Sequence, residues 1–133
     1  MQKILLIAIG GAIGAVARYV LSGIPYKFLD PVFPYGTLLV NLTGAYIIGV
    51  LFALSERIEI SSDIRFFVFI GILGAFTTFS TFALETVNLV RDREVLLGLW
   101  NFIITNFAGI LAVFLGFFTT RVFFKVFHLL HGR

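Results

Sequence analysis

Cysteine is absent from the 133-residue chain, which excludes a disulfide framework, a thiolate metal site and a thiol nucleophile. Charge is scarce as well. Asp, Glu, Lys and Arg make up 13% of the residues, against roughly 25% in an ordinary soluble domain. So few charged side chains cannot cover the surface of a soluble domain of this length. Histidine occurs only at the tail, as His128 and His131, with no metal-ligand residue nearby in sequence. There is no Gly-rich phosphate loop, no His-Glu metal motif and no Ser or Cys with a His partner. The chain therefore reads as no enzyme, and as a single domain, residues 1–133, solvated by lipid.

What is abundant is apolar sequence, 59% of residues. A membrane-spanning helix needs about 20 mostly apolar residues. Four stretches qualify, Ile4–Ile24, Thr37–Leu54, Phe66–Val90 and Val95–Phe118. They predict an all-α membrane protein with four transmembrane helices per subunit. Met1-Gln2-Lys3 before an apolar run, with Ala15-Val16-Ala17 after it, imitates a signal peptide. The run resumes beyond Arg18, so an uncleaved first helix is the better reading. The net charge of +3 belongs to residues flanking the spans and forms no nucleic-acid stripe.

With four spans, both termini and the middle loop share one side, carrying Lys3, Arg57, Arg65, Arg121, Lys125 and Arg133. Lys27, Arg91 and Arg93 lie on the other, joined by Arg18 if its head reaches the interface. Lys and Arg counts set orientation, and this split barely favours either direction. Four helices alone are too few to enclose a polar path comfortably, and lipid cannot satisfy polar side chains. Together these point to an oligomer.

Polar residues within the spans carry the functional signal. Gly10, Gly14 and Arg18 share one helix face; the glycines suit close helix packing. Arg18 is open to two readings, a side chain snorkelling to the interface or a vestibule charge that attracts anions. Thr37 is a candidate N-cap of the second span. Asn41 is either a hydrogen-bonding link between helices or an amide donor to an anion. In the third span, Gly71 and Gly74 precede Thr77, Thr78, Ser80 and Thr81, with Phe79 and Phe82 interleaved. Hydroxyl side chains compete for backbone hydrogen bonds, so a break in this helix is expected. Broken spans are tolerated where they line a cavity or ion site, and freed carbonyls there can hold a cation. Glu85 follows a turn later and either pairs with Arg18 or faces water. In the fourth span, Asn101, Thr105 and Asn106 serve as helix links or as further donors.

Through GGAIGAVARY, PYGTLLVNLTGAYIIG and GILGAFTTFSTFALE, the chain resembles the Fluc/CrcB family of fluoride channels along essentially its whole length. The resemblance implies an antiparallel, dual-topology homodimer with two pores in the cell (inner) membrane. It implies passive export of fluoride, giving fluoride resistance. Phe79 and Phe82 correspond to the family's pore phenylalanines, Asn41 to its pore asparagine, Ser80 and Thr81 to its polar track. The carbonyls of Gly74 and Thr77 correspond to a structural sodium ion at the dimer axis. Arg18 and Glu85 match charged positions near the pore mouths. The family often carries hydroxyls four apart on the last helix; here those positions read Phe102, Asn106 and Ile110, of which only Asn106 is polar. The chemistry fits, because an aromatic ring presents a positive edge to an anion. Donors from Asn41, Ser80, Thr81 and Asn106 would replace lost water. Two other readings remain at this point: a dual-topology, proton-coupled exporter of cationic compounds, and a structural membrane subunit that transports nothing.

Overall fold

The computed structural model describes residues 1–131; Arg133, counted above on the more basic side, lies outside them. Every long element is helical. Helix α1 covers Gln2–Gly23 and α2 covers Tyr35–Ser55. The third span, Ser62–Arg91, is split. Its first half, α3, comprises residues 62–76 and is wound as a π-helix over Arg65–Leu73. Its second half, α4, is Phe79–Arg91. Helix α5 covers Val95–His131. Four segments are thus long and apolar enough to cross a membrane.

The expected break falls at Thr77 and Thr78. Thr77 has φ −82° and ψ 154°, and Thr78 has φ −148° and ψ 114°, so the chain is extended for these two residues only. The same hydroxyls that weaken the helix also tie off its ends. Thr77 Oγ1 donates to the Leu73 carbonyl at 3.1 Å, closing α3. Thr78 Oγ1 accepts the Thr81 amide at 3.3 Å, capping α4.

Glycine pairs set the bundle. A methyl group added at Gly10 or Gly14 would strike the backbone of α3 at Phe67 and Ile72. At Gly49 and Gly116 it would strike the facing backbone of α5 and α2. Backbones in contact are how apolar helices associate in lipid, where burial of apolar surface gives no drive. Side chains at one end join the spans further: Gln2 Nε2 donates to Asp63 Oδ2 at 3.2 Å, and Arg121 Nη2 to Glu56 Oε2 at 3.0 Å. Lys3, Arg65 and Arg121 therefore cluster at one end of the bundle, as the charge pattern requires of one membrane side.

Two local expectations are corrected. Thr37 is not the N-cap of α2, which begins two residues earlier behind Pro34 with no side-chain cap. Glu85 has instead recruited the Thr37 hydroxyl. The last helix also runs 13 residues beyond Phe118, because nothing between Phe118 and His131 breaks a helix. Its 37 residues make a rod of about 55 Å at 1.5 Å per residue, well beyond a hydrocarbon core of about 30 Å.

The turn between α4 and α5 carries one strained residue. Arg93 has φ 67°. Its amide bonds the Val90 carbonyl at 3.2 Å, and the Glu94 amide bonds that of Leu89 at 2.8 Å. This is the αL helix ending that glycine normally occupies. Arg93→Gly is expected to stabilise the fold by about 0.5–1 kcal/mol, raising the thermal midpoint in detergent. An unchanged or lower midpoint would show that the turn stores no strain.

Candidate functional site

The break is held open by Asn41. Its Oδ1 accepts the Thr78 amide at 2.9 Å, and its Nδ2 donates to the Thr78 carbonyl at 3.1 Å. One side chain thus satisfies both backbone polar groups of a residue left extended inside a membrane span, where an unpaired group costs several kcal/mol. An amide nitrogen carries two hydrogens, so Asn41 keeps a second N–H for another acceptor. The two readings of Asn41, link and donor, are therefore compatible.

The diversion of donors has a consequence for the carbonyls. In a continuous helix the Thr78 amide would bond the Gly74 carbonyl, and the Thr81 amide that of Thr77. Here the first goes to Asn41 and the second to Thr78 Oγ1. The Gly74 and Thr77 carbonyls are released from the helical ladder, and both residues line the same groove. Two backbone oxygens of this kind suit a hard cation that takes oxygen ligands.

That groove, about 440 Å³, gathers most of the sequence-predicted site. Asn41, Gly74, Thr77, Phe79, Phe82 and Asn106 line it, joined by Thr78 and Thr105. The Phe79 and Phe82 ring centroids lie 5.5 Å apart with planes at 57°. Phe82 is buried at 4% exposure, whereas Phe79 is 76% exposed. Phe102 of α5 lies over Phe82, centroids 6.4 Å apart and planes within 24°. Asn106 Nδ2 donates to the Phe102 carbonyl at 2.7 Å and likewise keeps one N–H free.

The remaining predicted residues sit elsewhere. Thr81 accepts a hydrogen bond from Thr78 Oγ1 at 2.9 Å, which leaves its own proton free. It lines a second cavity of about 300 Å³ with Arg18, Tyr19, Ser22, Thr37 and Thr78. Ser80 is exposed, 3.4 Å from Thr78 Oγ1. Among the described residues Arg18 forms no ion pair; it lines the second cavity, as Thr78 and Thr81 do. The proposed Arg18–Glu85 pair is not formed. Glu85 Oε1 accepts the Thr37 hydroxyl at 2.7 Å, and Oε2 is buried without a partner.

Sequence reasoning did not single out Thr78, the residue whose peptide Asn41 holds, nor Thr86. Thr78 stands in the sequence only as one member of the hydroxyl run, and Thr86 as an isolated hydroxyl after Glu85. Thr86 needs a partner on another helix to acquire a role, and no local pattern supplies that.

Four spans, one of them broken beside a groove lined by aromatic rings and amide side chains, define a multi-pass membrane protein. Residues 5–117 match the family model described as CrcB-like protein, Camphor Resistance (CrcB). The chain belongs to that family. It is 47% identical to the fluoride-specific ion channel FluC of Magnetococcus marinus, over 91% of this chain and 99% of the relative. It is 44% identical to the protein of the same name from Nitrosococcus oceani, over 91% and 98% of the two chains. The like-named protein of Salinibacter ruber is 42% identical over 87% of each.

Proposed function

We propose that this chain is a subunit of a fluoride-specific ion channel that lets fluoride leave the cell passively and so gives resistance to it. Two copies in opposite orientations in the cell (inner) membrane would pair about a two-fold axis. The observation that carries the reading is the groove at the helix break. There the Phe79 and Phe82 rings stand beside the amides of Asn41 and Asn106, each with one uncommitted N–H. An anion passing ring edges gains from their positive rim, and the amides replace part of its water. Thr81 and Arg18, in the neighbouring cavity, would draw the ion toward the break. Ser80 and Glu85 belong to the approach rather than to the narrowest part.

In an antiparallel dimer, the free Gly74 and Thr77 carbonyls of two copies would offer four oxygens to one sodium ion at the axis. Such an ion is structural: it would tie the two breaks together and would not travel with the anion. The relatives' names support fluoride as the ion. A proton-coupled exporter needs a titrating carboxylate central in its path. Glu85 lies on α4 beyond the break, bonded to Thr37, and does not serve that purpose. Fluoride efflux from liposomes containing this chain alone tests the reading; absence of efflux would overturn it.

A further inference from the structure

The most completely buried polar side chain in the bundle is not one of those assigned to the ion path. Asn101, on α5, is 1% exposed. Its Nδ2 donates to Thr86 Oγ1 at 2.9 Å, and its Oδ1 accepts from Thr105 Oγ1 at 3.4 Å. Thr86 Oγ1 in turn donates to the Phe82 carbonyl at 2.8 Å.

Donor counting fixes the direction of this chain. A carbonyl only accepts, so the single hydroxyl proton of Thr86 is spent on Phe82. The Asn101 atom facing Thr86 must therefore be the amide nitrogen. That turns Oδ1 toward Thr105, whose own proton is then spent on Asn101. Every bond runs the same way, from Thr105 to Phe82, and aligned bonds polarise one another. Both ends of the chain lie in the groove wall, since Thr105 and Phe82 line it. Phe102, the next residue along α5, lies over the Phe82 ring. Adjacent residues of α5 thus grip Phe82 twice, at its carbonyl through Thr86 and at its ring.

From this geometry we infer that Asn101 is a positioning residue for the aromatic constriction: it fixes Phe82 through Thr86 and keeps the Thr105 hydroxyl proton out of the ion path. The inference rests on the fluoride-channel reading. It also limits the donors of the groove. Thr105 presents lone pairs to the groove, which repel an anion, so Asn41 and Asn106 are left to supply N–H groups.

A plain helix link would behave differently from a positioning residue. An interhelical hydrogen bond in a membrane protein contributes little to stability on average, so the loss of a plain link would leave conduction by the assembled dimer unchanged. The test measures fluoride efflux per dimer in liposomes for the wild type, Thr86→Val, Thr86→Ser and Asn101→Leu, with the dimer fraction measured for each. Valine keeps the shape of threonine without the hydroxyl; serine keeps the hydroxyl. Efflux per dimer is expected to fall about tenfold in Thr86→Val and Asn101→Leu, a barrier increase of about 1.4 kcal/mol. Thr86→Ser is expected to recover most of it. Wild-type efflux per dimer in Thr86→Val and Asn101→Leu would overturn the inference. So would losses that merely follow loss of dimer, or a Ser variant no better than Val. A wild type that passes no fluoride would sink the channel reading and this inference together; a conducting wild type with conducting variants would sink this inference alone.

Discussion

Phe79→Ile is expected to reduce fluoride efflux by about tenfold or more while the protein still inserts and dimerises. Phe79 lines the groove and is 76% exposed on the single subunit, so little packing within the subunit depends on it, and an aliphatic replacement costs the fold less than about 1.5 kcal/mol. What isoleucine cannot supply is the positive ring edge where the anion sheds water. Phe82→Ile is expected to lose as much flux but is the less clean experiment. Phe82 is buried between the rings of Phe79 and Phe102, so its replacement also costs about 1–3 kcal/mol of packing. Methionine, being polarisable, should retain more flux than isoleucine at either position. Efflux per dimer and dimer fraction decide the matter together. Wild-type efflux through dimeric Phe79→Ile and Phe82→Ile would end the aromatic account.

Asn41→Asp is expected to abolish efflux, and the reason is twofold. The carboxylate keeps an acceptor for the Thr78 amide but has lost the donor to the Thr78 carbonyl. It then faces that carbonyl oxygen with negative charge, leaving a part-buried acceptor unsatisfied at a cost of about 1–3 kcal/mol. The second N–H, the one left for the anion, disappears as well, and a fixed negative charge takes its place in the groove. The variant should therefore show both a lower thermal midpoint and no fluoride efflux. A dimeric Asn41→Asp protein with wild-type efflux would remove Asn41 from the path, leaving only its role in holding the break.

The sequence made the coarse features readable because each has a one-dimensional signature. Four apolar stretches of about the length a helix needs to cross a bilayer's hydrocarbon core leave little choice of architecture. The clustering of Thr77, Thr78, Ser80 and Thr81 behind Gly71 and Gly74 marks the stretch in which the break lies. Finer features have no such signature. Between Arg65 and Leu73 the residues are almost uniformly apolar, so no periodicity distinguishes π winding from α. Thr37 looks like a cap in sequence, and only the fold brings Glu85 to it across 48 positions. Thr81 and Phe82 are neighbours in the chain but line different cavities, because successive helical residues point about 100° apart. By residue type alone Asn101 and Asn106 are equally suited as links or donors, and only the resemblance sets Asn106 in the pore. The difference appears only once burial and partners are known: one is enclosed between helices and the other borders the groove.

The most direct test of the central claim is efflux of preloaded fluoride from liposomes containing only this chain, read with a fluoride electrode. Chloride-loaded vesicles and vesicles with an imposed pH or sodium gradient serve as controls. The account predicts rapid downhill fluoride efflux once counter-charge movement is allowed, with little chloride efflux and no uphill accumulation under either gradient. Fluoride held in the vesicles would contradict it, as would uphill movement driven by protons or sodium.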